Sequence, residues 1–184
     1  MTRQLDRPPV LIGHSMGGLV VQKYLEKHST PAAILLASVP PSGVIRTTLS
    51  IALRHPLPFL KANATLKLYH IVGTPALTHE AFFSMQMPDE QVQEYFTHIQ
   101  NESYRAFLDM IVFSLLHPKR VKTPVLVLGG ECDKIFTRKE VEATARAYNA
   151  QATIFPQMAH DMMLEKGWQD VADHMLRWLG QQGL

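Results

Sequence analysis

The chain has 184 residues, 46% of them hydrophobic and 18% charged, enough to bury the core of one globular domain. A net charge of +2, with Lys and Arg scattered rather than clustered, argues against nucleic acid or an anionic membrane as partner. No apolar run reaches the roughly 18 residues that a membrane span needs. Cys132 is the single cysteine, so no internal disulfide is possible, and MTRQLDRPP has Asp6 and two prolines where a signal peptide is apolar. A reducing cytoplasm is the expected compartment.

Val10 to Gly13 is a short apolar run bounded by Pro8-Pro9 and a glycine, and it predicts a buried parallel strand. From Gly18 to Lys27 the period turns helical, through Leu19, Val20, Lys23 and Tyr24. Ala32 to Ser38 (AAILLAS) predicts a second strand, Pro124 to Gly130 (PVLVLGG) a third, and Ala152 to Pro156 (ATIFP) a weaker fourth. Thr137 and Glu140 form a capping-box pattern that opens a helix to about Tyr148. The last helix, GWQDVADHMLRWL, carries Trp168, Val171, Ala172, Met175 and Trp178 near one face. Strands alternating with helices predict an α/β fold with a parallel sheet covered on both sides.

Residues 42–122 behave differently. DEQVQEYFTHI and ESYRAFLDMIVFSLL are the clearest helices there, Pro56, Pro58, Pro75 and Pro88 interrupt the pattern, and no buried strand is evident. A helical insertion of that length between two strands predicts a lid or cap above the sheet. Leu57, Phe59, Leu60, Phe82, Phe83, Met85 and Met87 are candidates to line a pocket there, or simply to pack the cap.

Gly13-His14-Ser15-Met16-Gly17 fits G-x-S-x-G, with an apolar strand before it and a helix after it. A serine at so sharp a strand-to-helix turn takes a strained backbone, and the glycines two residues either side relieve crowding. A serine hydroxyl is a poor nucleophile until a base takes its proton, so a histidine is needed, with a carboxylate to orient it. Asp133 follows the third strand, 118 residues after Ser15 (133 − 15), and His160 follows the fourth. Glu131 is an alternative acid, nearer the strand. Asp161, adjacent to His160, reads as a helix N-cap before MMLEKGW, His14 as lining the elbow without catalytic duty, and Cys132 as a packing residue. The remaining histidines show no metal-ligand spacing, and no metal or other cofactor is expected.

GHSMGG, VLVLGGECDKIFT and MAHDMMLE, in this order along nearly the whole chain, resemble the α/β-hydrolase superfamily, and most closely its lysophospholipase and monoacylglycerol-lipase-like serine esterases. The resemblance implies Ser15 as nucleophile, His160 as general base and acid, Asp133 as orienting acid, and the Met16 backbone N–H as an oxyanion donor, with Gly13 and Gly17 as elbow glycines. It implies hydrolysis of a carboxylic ester, lipid-like or with a small apolar acyl group, through an acyl-enzyme. Dehalogenases and epoxide hydrolases of this fold use an aspartate where Ser15 stands.

The same resemblance implies strands before the elbow and a His-Gly loop supplying a second oxyanion donor; no His-Gly dipeptide occurs here. The expectation is one α/β-hydrolase domain over 1–184, incomplete at its amino-terminal side, with the cap at 42–122. MTRQLDR then reads as the end of a helix. The strand before Ser15 would be a sheet edge, open to a second copy or to an absent segment. Loss of one oxyanion donor lowers kcat roughly 100- to 1,000-fold. An incompetent remnant acting only in interactions, or an acyltransferase with the same triad, are the other expectations.

Overall fold

A computed structural model describes residues 5–113 and 116–184. Four strands form one parallel sheet in the order β1 (Leu11–His14), β2 (Ala33–Leu36), β3 (Val125–Gly130) and β4 (Ala152–Phe155). The register runs Gly13 to Leu35 to Val127 to Ala152, so the carboxyl ends of all four strands point the same way. Each apolar run becomes a strand within one or two residues of its predicted limits.

Alternation along β2 assigns its side chains to two cores. Ala33 and Leu35 pack with Val125, Val127 and residues of α1 (Ser15–Leu25) and α8 (Arg138–Ala147) on one face. Ile34 and Leu36 pack with Leu126, Leu128, Met162 and Val171 of α9 (Trp168–Gln181) on the other. The capping box of α8 is present, with the Glu140 carboxylate accepting from the Thr137 N–H at 2.8 Å. On α9 the buried stripe begins at Val171. Trp168, expected on that face, sits in the first turn and is 47% exposed.

β1 pairs with β2 alone among the described residues, and Ile12 on it is half exposed. Residues 5–7 form bends rather than a helix end, and the rest of that expected helix lies outside the described residues.

Between β2 and β3 the described residues are helical, in short pieces: α2 (Ile45–Arg54), α3 (Pro56–Thr65), α4 (Tyr69–Val72), α5 (Pro75–Phe82), α6 (Asp89–Phe96) and α7 (Tyr104–Leu108). The prolines set the joints, with Pro56 and Pro75 in first turns and Pro88 at the N-cap of α6. A π-helical turn, Asp109–Phe113, continues α7. Ser114 and Leu115 of the predicted helix lie outside the described residues. The candidate pocket residues separate. Phe82 faces a cavity, Phe83 and Met87 pack with Val92 in their own small core, and Leu57, Leu60 and Met85 are exposed.

Candidate active site

Ser15 sits where β1 turns into α1, with φ at +49°, the left-handed region that a non-glycine residue adopts at a cost. Its position at the head of the helix exposes the Met16 N–H, which has no partner within α1, at the positive end of the helix dipole. Gly13 is required by space: a Cβ there would lie 2.6 Å from the Gly17 carbonyl oxygen. The expectation for Gly17 is corrected, because a Cβ at 17 meets nothing within 4 Å. The crowded neighbour is Gly18, where a Cβ would come to 2.1 Å from the Ser38 hydroxyl.

Asp133 and His160 are brought together. The His160 Nδ1 lies 3.0 Å from the Asp133 Oδ2, and a carboxylate only accepts, so Nδ1 carries the proton. The other oxygen of Asp133 accepts from the Ile135 and Phe136 N–H groups at 2.7 and 3.0 Å. Both side chains are buried. Burial alone would push His160 down, but the Asp133 charge and hydrogen bond outweigh it and hold the imidazole above its ordinary value. Glu131, the alternative acid, is exposed and lies 3.4 Å from the Gln157 N–H, so it does not orient the histidine. Phe82 stacks on His160 with ring centres 5.9 Å apart, and Phe136 approaches it at 5.6 Å.

His14 does more than line the elbow. Its Nε2–H donates to the His160 carbonyl at 3.1 Å, tying the end of β1 to the histidine's loop across 146 residues. Burial and the neighbouring His160 push His14 down to about 4, while burial pushes Asp161 up to about 6. Their 3.5 Å approach is therefore not an ion pair, since the imidazole is charged only below the pH at which the carboxylate ionises. Asp161 is no helix cap either: residues 162–167 form turns, and its N–H donates to the Phe82 carbonyl at 3.0 Å. Cys132 is exposed rather than packed.

His14, His160 and Asp161 are the group among the described residues whose ligand atoms, within 4.8 Å of one another, could converge on a metal ion. The His14 Nε2 is already committed to a carbonyl and the His160 Nδ1 to Asp133.

Beside Ser15 opens a cavity of about 180 Å³, walled by Val44, Ile51, Phe82, Phe107, Met110 and Phe136 among others. Glu102 is the charged residue among its described lining. Sequence reasoning named Phe82 but missed Phe136, which lies only three residues beyond Asp133 and is buried by residues distant in the chain.

The chain has solved structural relatives. They include an esterase from Thermogutta terrifontis (19% identity, TM-score 0.68, 98% of this chain and 67% of that one). A monoacylglycerol lipase from Paleococcus ferrophilus has 20% identity and a TM-score of 0.65, over 98% of this chain and 71% of that one. A bromoperoxidase from Bacillus anthracis has 15% identity and a TM-score of 0.65, over 97% of this chain and 70% of that one. The chain thus spans about 67–71% of the length of these three proteins. No curated protein matches the chain significantly. The profile of the Alpha/beta hydrolase family matches residues 2–174, and the chain belongs to that family.

Proposed function

We propose that the protein is a serine hydrolase that cleaves a carboxylic ester with a small or lipid-like apolar acyl group. The observation that carries this reading is the buried Asp133–His160 pair, 3.0 Å apart, in loops at the same end of the parallel sheet as a strained Ser15 that lines an apolar cavity. In the proposed reaction His160, its Nδ1–H held by Asp133, takes the Ser15 proton on Nε2 as the serine oxygen bonds to the ester carbon. The negative oxygen that develops is stabilised by the Met16 N–H at the head of α1. Collapse breaks the carbon–oxygen bond to the alcohol, which leaves with the proton from His160. Water then repeats the sequence on the acyl-serine and releases the acid. No metal or other cofactor enters any step, and a cytoplasmic setting suits the exposed Cys132.

The cavity supports the apolar preference. An engineered apolar cavity of about 150 Å³ holds benzene, so this one has room for an acyl chain of about six carbons. The test is a series of p-nitrophenyl esters. The value of kcat/KM should rise about fourfold per added methylene, at ~0.8 kcal/mol each, until the cavity is full and then level. Turnover that persists in Ser15→Ala, or no dependence on chain length, contradicts the reading.

A further inference from the structure

Glu165 is a carboxylate buried to 1% exposure that the proposed reaction does not use. No Lys or Arg is paired with it among the described residues. Instead three donors converge on it: the Ser84 N–H and the Ala159 N–H on Oε1, the latter at 3.1 Å, and the Ser84 hydroxyl on Oε2 at 2.8 Å. A buried carboxylate is retained at a cost in desolvation unless its acceptors are met, and here they are.

The two sets of donors belong to different parts of the molecule. Ala159 directly precedes His160, so its bond to Glu165 closes the loop that carries the histidine. Ser84 follows α5 in the helical segment, two residues after Phe82, which stacks on His160 and walls the cavity. A second tie runs in parallel, from the Asp161 N–H to the Phe82 carbonyl. We propose that Glu165 is a positioning residue, locking the His160 loop to the Phe82–Ser84 segment so that one anchor sets both the base and a wall of the cavity.

The inference rests on the reading of His160 as the base, and it makes a chemical distinction. In Glu165→Gln the amide oxygen still accepts from both N–H groups, and the amide donates to a Ser84 hydroxyl that turns to accept. Glu165→Ala loses all three bonds, whereas Ser84→Ala keeps the Ala159 N–H bond and the bond from the residue's own backbone.

Two readouts on the whole chain test this: the rate of fluorophosphonate labelling per folded molecule, and the NMR signals and titration of the His160 ring. Glu165→Ala should label about 100-fold more slowly, the scale of a 1 Å misplacement, with an altered His160 titration. Glu165→Gln should restore both, and Ser84→Ala should fall between. A folded Glu165→Ala that labels like wild type with an unchanged ring titration overturns the proposal, as does a Gln variant no better than Ala. If Glu165→Ala fails to fold, slower labelling by Ser84→Ala supports the proposal and wild-type labelling overturns it. If wild type takes no label, the hydrolase reading fails, and the ring titration alone decides whether Glu165 positions His160.

Discussion

Around the sheet, Ile34, Leu35 and Leu128 are wholly buried, whereas the helices between β2 and β3 leave Leu49, Leu53, Leu57 and Leu60 largely in solvent. The three residues of the proposed triad all come from the first region, each just beyond the carboxyl end of a strand: Ser15 after β1, Asp133 after β3 and His160 after β4. A parallel sheet brings the carboxyl ends of its strands to one side, which gives those side chains a common starting line. Much of the cavity wall comes from the second region, from Thr47 through Met110. In the proposed reaction the chemistry falls to residues at the strand ends and the choice of substrate to the helical segment, with Glu165 hydrogen-bonded to both Ala159 and Ser84.

The largest effect that could break this comparison is on turnover. Asp133→Asn should leave the fold and cavity intact but lower kcat by about 10,000-fold, because the amide can hold the His160 ring in the wrong tautomer. Steady-state kinetics on a variant with unchanged circular dichroism checks it, and a mild loss would take Asp133 out of the proposed reaction.

Stability offers the next contrast. Leu128→Ala, at 0% exposure in the sheet, should cost about 2–5 kcal/mol in urea unfolding. Leu53→Ser, at 83% exposure on α2, should stay within about 0.5 kcal/mol. Similar losses at the two sites would mean that the helical region is as tightly packed as the sheet.

The elbow gives a finer test. Gly18→Ala should cost about 1–3 kcal/mol by driving a methyl into Ser38, whose hydroxyl accepts from Gln22. Gly17→Ala, in a helix with open space around it, should be neutral or gain up to about 1 kcal/mol. Thermal melting of the pair distinguishes them.

The smallest effects concern protons. Only the neutral His160 ring can take the serine proton, so labelling should rise with pH through a value above the ordinary 6.5 of histidine. Asp161 is raised from 3.8 to about 6 in the fold, so its contribution to stability is present below 3.8 and lost as pH rises through 6. Asp161→Asn should therefore raise the melting temperature at about pH 8 and not at about pH 3.5. Equal shifts at both would show that the burial of Asp161 has no electrostatic cost.

Local signals were legible. The apolar runs of β1 to β3, the Thr137–Glu140 capping box and the glycine-flanked serine each reflect forces acting within a few residues. The positions of Asp133 after β3 and His160 after β4 followed instead from the order of the strands, since a parallel sheet delivers loop after loop to the same end. What escaped depends on neighbours far along the chain. Gly17 and Gly18 look alike in sequence, and only the approach of Ser38 tells them apart. Cys132 beside a buried Asp133 reads as packed, yet the turn carries it outward. Nothing in the sequence marks Glu165 as buried, because its hydroxyl partner Ser84 lies 81 residues earlier. In the helical segment apolar composition did not distinguish Phe82, on the cavity, from Met85, 93% exposed, because short helices broken by prolines set no lasting face.

The most direct test of the central claim is fluorophosphonate labelling of the whole chain, with the modified residue located by mass spectrometry. The expected result is a single adduct on Ser15, formed faster as pH rises and abolished in Ser15→Ala and His160→Ala. A folded chain that takes no label, or labels equally without His160, would contradict the claim that these side chains form an activated nucleophile.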